Sequence, residues 1–109
     1  MPRSPELSRL EQLVLVAILN LRSEAYGVPI RNEVSAQGGR EASFSSVYAV
    51  LDRLERDGLV DSRLGAPTPE RGGRAKRYYH VLATGQRALN GAIVQSRALW
   101  PKQLAGALA

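Results

Sequence analysis

The chain of 109 residues contains no cysteine, which excludes disulfide frameworks, thiolate zinc sites and cysteine nucleophiles in one step. Histidine is almost as scarce. His80 stands alone, with no nearby acid pair to complete an acid–base set, so neither an enzyme nor a metal or cofactor site is expected. Long apolar runs are missing too: even Leu13 to Leu21 is broken by Asn20 and followed by Arg22, well short of the roughly 20 apolar residues that cross a bilayer. The first residues carry Pro2, Arg3, Pro5 and Glu6 and lack the apolar centre of a secretory signal. Residues 1–8 therefore read as a disordered arm, and the chain as a cytoplasmic protein with no membrane partner. Acids are outnumbered, with 10 Asp and Glu against 15 Lys and Arg and a net charge of +5, a balance that suits a polyanionic partner. The hydrophobic share of 44% and the length allow one buried core and no separate catalytic domain beside it.

Ser8 and Glu11 have the spacing of a capping box, so a helix is expected to begin at Arg9. From Leu10 to Leu21 apolar residues occur almost all round that helix, more than a one-sided surface helix requires. Ala25, Tyr26 and Gly27 interrupt it. Val28 to Gln37 then reads as a second helix, with Pro29 in its first turn and Val28, Ile30 and Val34 on one face. Ser43 offers a cap for a third helix running to Asp57, with Gly58 as a left-handed stop. Phe44, Val47, Val50, Leu51 and Leu54 form its apolar stripe; Ser45, Ser46, Ala49, Arg53 and Arg56 fall opposite. Leu59 to Leu64 and Lys76 to Leu82 read as strands joined by a long, Gly- and Pro-rich tip. From Ala83 a last helix carries Leu89, Ile93, Trp100, Leu104 and Leu108 on one face, and Pro101 predicts a kink or break at Trp100.

The fold expected is mainly α with a small β-hairpin. Three short helices and a hairpin follow in the order of a winged helix-turn-helix over residues 9–82, whose third helix enters the major groove of double-stranded DNA. Residues 83–109 are left as a C-terminal dimerisation helix. On the third helix Ser45 and Ser46 are short donors and acceptors, Ala49 offers a methyl to thymine, and Arg53 can reach guanine or phosphate. Arg71, Arg74, Lys76 and Arg77 lie in and beside the hairpin tip with no acid among them, a composition suited to phosphates, above all at Arg74 and Lys76; a charged hairpin kept soluble is the other reading, and for Arg71 an equal one. Tyr26 and Gly27 open the second helix, where a phenol and free N–H groups can hold a phosphate; Tyr26 can as well be core. Tyr48 borders the apolar stripe and presents the same choice. Tyr79 and Val81 read as hairpin core.

Three blocks, Tyr26-Gly27-Val28-Pro29-Ile30, Ser46 to Glu55 leading into Gly58-Leu59-Val60, and Gly73 to Tyr79, resemble PadR-like transcriptional regulators. The resemblance runs from about Leu10 to Leu89. It implies a homodimer built through the first and last helices, repression at a near-palindromic operator, and release by a small effector. It also implies DNA contacts at Tyr26, Gly27, Ser45, Ser46, Tyr48, Ala49 and the wing. The chain departs from the family at Leu82-Ala83-Thr84-Gly85, where Thr-Pro-Glu-Gly usually supplies the cap of the last helix. Its short tail resembles the compact branch with a single C-terminal helix.

The surplus apolar surface places Leu13, Ile18, Leu89, Ile93, Trp100, Leu104 and Leu108 at a subunit interface. Across a two-fold axis, paired Trp100 side chains would wall a site for a small planar hydrophobic effector; plain interface packing is the other reading of Trp100. Two rival functions on the same fold are sequence-neutral DNA coating and protein interaction alone.

Overall fold

The computed structural model describes residues 6–65 and 75–108, with side chains described up to residue 96. Helix α1 (Arg9–Leu21) starts at the expected capping box. The Glu11 N–H donates to Ser8 Oγ at 3.1 Å and the Ser8 N–H to Glu11 Oε1 at 2.8 Å, so two free donors of the helix start satisfy each other's residues. After a short 3-10 turn (Arg22–Glu24), helix α2 (Gly27–Gly38) ends at Gly39, whose φ of 77° is the left-handed stop glycine favours. Helix α3 (Phe44–Arg56) is capped by Ser43 and followed by Gly58 at φ 74°. Strands β1 (Val60–Leu64) and β2 (Arg77–Val81) pair antiparallel, Val60 opposite Val81 and Leu64 opposite Arg77. Tyr26 adds a one-residue bridge to Tyr78, and the Tyr79 N–H donates to the Ala25 carbonyl at 2.8 Å, tying the hairpin to the entrance of α2. Helix α4 (Ala83–Leu108) closes the order, giving a winged helix-turn-helix with a C-terminal helix.

The core lies where α1, the inner stripe of α3 and one face of the hairpin meet. Leu15, Val47, Leu51 and Leu54 are fully buried, joined by Ile30 and Val34 of α2 and by Val60, Tyr79 and Val81 of the strands. Hydrophobic burial of this kind contributes roughly 25 cal/mol per Å². Two residues expected in these stripes point outward: Val28 is 48% and Phe44 41% exposed. Val28 is out of helical phase with Ile30 and Val34. Phe44, in the first turn of α3, is covered instead by the Arg31 guanidinium, 5.1 Å from its ring centroid, and stacks on Tyr48.

Ile18 and Leu89, expected at a subunit interface, are corrected. They are only 2% and 5% exposed because the chain's own core takes them up. The first turns of α4 are clamped at that point. Thr84 Oγ1 donates to the Gly58 carbonyl, and a Cβ at Gly85 would overlap the Leu59 carbonyl oxygen, so only glycine fits. These contacts anchor the start of α4 to the segment that follows α3. The expected break at Trp100 does not occur either. α4 is a single helix through Pro101, since one missing N–H removes one hydrogen bond while those of the neighbouring residues continue. The arm over residues 1–5 and the hairpin tip over residues 66–74 lie outside the described residues.

Candidate nucleic-acid interface

The outer side of α3 is set by its inner one. Because Val47, Val50, Leu51 and Leu54 are drawn into the core, Ser45, Ala49, Asp52 and Arg56 follow one another along the opposite line and are all exposed. Small residues occupy its first half. Ser46 lies on the flank toward α1, where its N–H and its Oγ both bond the Ser43 hydroxyl, at 3.1 and 2.9 Å. Arg53 leans to the same flank. Its guanidinium comes within 4.0 Å of the carboxylate of Glu11, a buried acid that the α1 cap also holds, while the Arg53 side chain stays 62% exposed.

A second group gathers where α2 begins beside the wing. Tyr26 is the N-cap of α2 but makes no side-chain capping bond, so its phenol does not satisfy the first amides of the helix. The Tyr48 hydroxyl lies against Gly27, where a Cβ would push the half-exposed Tyr48 ring aside. Tyr26 meets Tyr78 edge to face with centroids 5.4 Å apart, and Lys76 Nζ stands 4.6 Å above the Tyr26 ring. This cation–π contact holds an exposed ammonium at the wing base. The wing base itself closes through the Gly65 N–H, which donates to the Lys76 carbonyl at 2.7 Å.

The wing is also bonded to α3. Arg77 Nη1 donates to Ser62 Oγ at 2.9 Å, and the Ser62 hydroxyl donates to Glu55 Oε2 at 2.8 Å. This relay fixes the guanidinium between helix and hairpin. Beneath it burial, and then the Asp52 and Glu55 carboxylates, raise the Tyr79 phenol above its ordinary pKa. The opposite face of the hairpin carries His80, whose Nδ1 lies 3.4 Å from Asp61 Oδ1, and it borders a groove of about 640 Å³ lined by Leu19, Arg22, Arg63 and Tyr78. That groove faces away from α3. Among the described residues no group of His, Asp and Glu could hold a metal, and no helix is long and apolar enough to cross a membrane.

Of the residues the sequence singles out, Tyr26, Gly27, Tyr48, Lys76 and Arg77 come together around the α2 entrance and the wing. Ser45, Ser46, Ala49 and Arg53 lie along α3. Arg71 and Arg74 fall outside the described residues, as do the side chains of Trp100, Leu104 and Leu108. Leu13 is half-buried and Ile93 is 39% exposed. Asp52, Glu55 and Ser62 were not anticipated. A helical wheel places Asp52 on the Ser45–Ala49 line, whereas the Glu55–Ser62–Arg77 relay joins residues too far apart in sequence for any local pattern to reveal.

Residues 14–91 match the family model described as the transcriptional regulator PadR-like family. The fold is similar to that of a PadR-like transcription factor from Bacteroides fragilis, at 21% identity over 92% of this chain and 89% of that one, with a TM-score of 0.67. A PadR family transcriptional regulator from Eggerthella lenta is 27% identical over 89% of this chain and 80% of that one, with a TM-score of 0.66. One from Clostridium difficile is 20% identical over 90% and 96%, with a TM-score of 0.61. No curated protein matches the chain.

Proposed function

The chain belongs to the PadR-like family of transcriptional regulators, and from that premise we propose that it is a homodimeric repressor that seats α3 in the major groove of an inverted-repeat operator. Residues 9–82 are the DNA-binding unit and 83–109 the dimerisation helix. The observation that carries this reading is the exposed line of α3, small at Ser45 and Ala49, flanked by a wing whose Lys76 ammonium is held in place over Tyr26. Small side chains let a helix approach base edges, and an anchored cation beside it meets the phosphates that position the helix. Tyr26, Gly27 and Tyr48 would take a phosphate at the α2 entrance, and Arg77 and Arg74 would extend the contact along the wing.

Dimerisation is supported by α4. The helix has 26 residues, and Leu89 is the last residue along it that is buried among those whose side chains are described. Ile93 and Val94 are 39% and 64% exposed, and a helix that long gains most of its stability from packing. A second copy supplies that packing, with Leu13, Ile93, Trp100, Leu104 and Leu108 meeting it. The two-fold symmetry would place the recognition helices about 34 Å apart. Release by a small planar hydrophobic effector between paired Trp100 side chains belongs to the same reading.

Selection of bound sequences from random duplex tests it. A regulator prefers its operator over random DNA by about 10³ or more, and absence of any preferred sequence overturns the reading. Lys76→Ala should weaken binding to all sequences alike and reduce the salt slope by about one, whereas changes at Ser46 or Ala49 should alter base preference.

A further inference from the structure

Asp52 is an acid in an unexpected place. It is exposed on the line Ser45, Ala49, Asp52, Arg56, in a chain of net charge +5, on the surface that the reading above turns toward DNA. Two of the other three charges of α3 have partners: Glu55 accepts from Ser62, and Arg53 lies against Glu11. Asp52 has none among the described residues. Arg56 stands one turn further on, at the spacing that favours an ion pair, yet no such pair forms. A bare carboxylate facing phosphates costs affinity. Over the centre of the major groove, however, it meets base edges, and there its chemistry is selective. A carboxylate only accepts. Guanine presents two acceptors to it and thymine an acceptor and a methyl, while adenine sets its acceptor N7 beside its amine; cytosine presents a donor, N4. Aspartate is short, and the small side chains of Ser45 and Ala49 on the same line allow the close approach it needs.

We propose that Asp52 is a specificity-determining residue that reads one cytosine in each operator half-site by accepting a hydrogen bond from its N4 amine. The inference rests on the seating of α3 in the major groove.

The test compares the sequences selected from random duplex by the unaltered chain, Asp52→Asn and Asp52→Ala, all three checked for equal thermal midpoints. The unaltered chain should select a cytosine at one position per half-site, with about tenfold loss on its replacement. Asp52→Asn gains a donor and should move that one position to adenine, the base that an amide pairs with through N6 and N7. Asp52→Ala should leave that position without preference while the rest of the consensus stands. Variants that keep the original consensus, or that bind every duplex more tightly with no change at any position, overturn the proposal while the operator reading survives. An unaltered chain that selects no sequence overturns both.

Discussion

Helices α1 and α4 each carry more apolar residues than a one-sided surface helix needs, and the fold uses the surplus in opposite ways. α1 is sunk into its own chain. Val14, Leu15, Ala17 and Ile18 are all buried, and even Glu11 is only 7% exposed. α4 is held by its first turns, through Thr84, Gly85 and Leu89, and beyond them its described side chains are mostly exposed. Apolar content therefore counts how much surface must be covered but not by what. For α1 most of the cover is intramolecular; for α4 beyond Leu89 the described side chains find little of it in their own chain, and the proposed dimer would supply the rest.

The contrast breaks most readily at its buried side. Leu15→Ala empties a fully buried position and should cost about 2–5 kcal/mol, read as a lower denaturant midpoint with an unchanged slope. Gly85→Ala strikes the clamp where the two helices' fates diverge. Its Cβ must push against the Leu59 carbonyl, so a loss of roughly 1–3 kcal/mol is expected, with faster amide exchange in the first turns of α4. Ser8→Ala removes one half of the α1 capping box and should cost about 1 kcal/mol in the same unfolding measurement. Ile93→Asp sharpens the contrast from the other side. In the separated chain it should shift stability by no more than about 0.5 kcal/mol, because the side chain is exposed there, while sedimentation changes from dimer to monomer. A monomer already present in the unaltered chain at micromolar concentration would sink the intermolecular half of the comparison.

Alkaline conditions give the smallest effect expected. The Tyr79 phenol titrates above its ordinary value in the folded chain, so the folded state holds its proton more tightly than the unfolded one. That contribution is complete below the ordinary tyrosine range near pH 10 and is lost as pH rises through the folded value. Unfolding midpoints followed across this interval should fall, and by less in Asp52→Asn, which removes one of the carboxylates that raise the phenol.

Features written within a few residues of one another were legible in the sequence. The Ser8–Glu11 box, the Ser43 cap, the stop at Gly58 and the hairpin's inner residues Tyr79 and Val81 all depend on short spacings or strand alternation. What stayed hidden depends on distant pairs. Gly27 packs against the Tyr48 hydroxyl, Gly85 is required by the Leu59 backbone, and Phe44 lies outside beneath Arg31. Ile18 and Leu89 were assigned to the wrong partner for the same reason: periodicity identifies an apolar face without identifying the surface opposite it. At the candidate interface the donors and cations were readable by type, whereas an acid such as Asp52 looks like ordinary surface charge until Glu55 and Arg53 beside it are seen to be engaged elsewhere and no ion pair to Arg56 forms.

The clamp on α4 has a mechanical side. The two carbonyls that grip its first turns belong to Gly58 and Leu59, the residues through which the chain leaves α3. The helix that they hold extends about 39 Å at 1.5 Å per residue. A rigid rod pivoting near Gly85 through about 10° would swing its far end by roughly 6 Å. Run backward, the same leverage turns a displacement of several ångströms at the C-terminal end into a small rotation at a fulcrum seated directly behind the helix proposed to enter the groove.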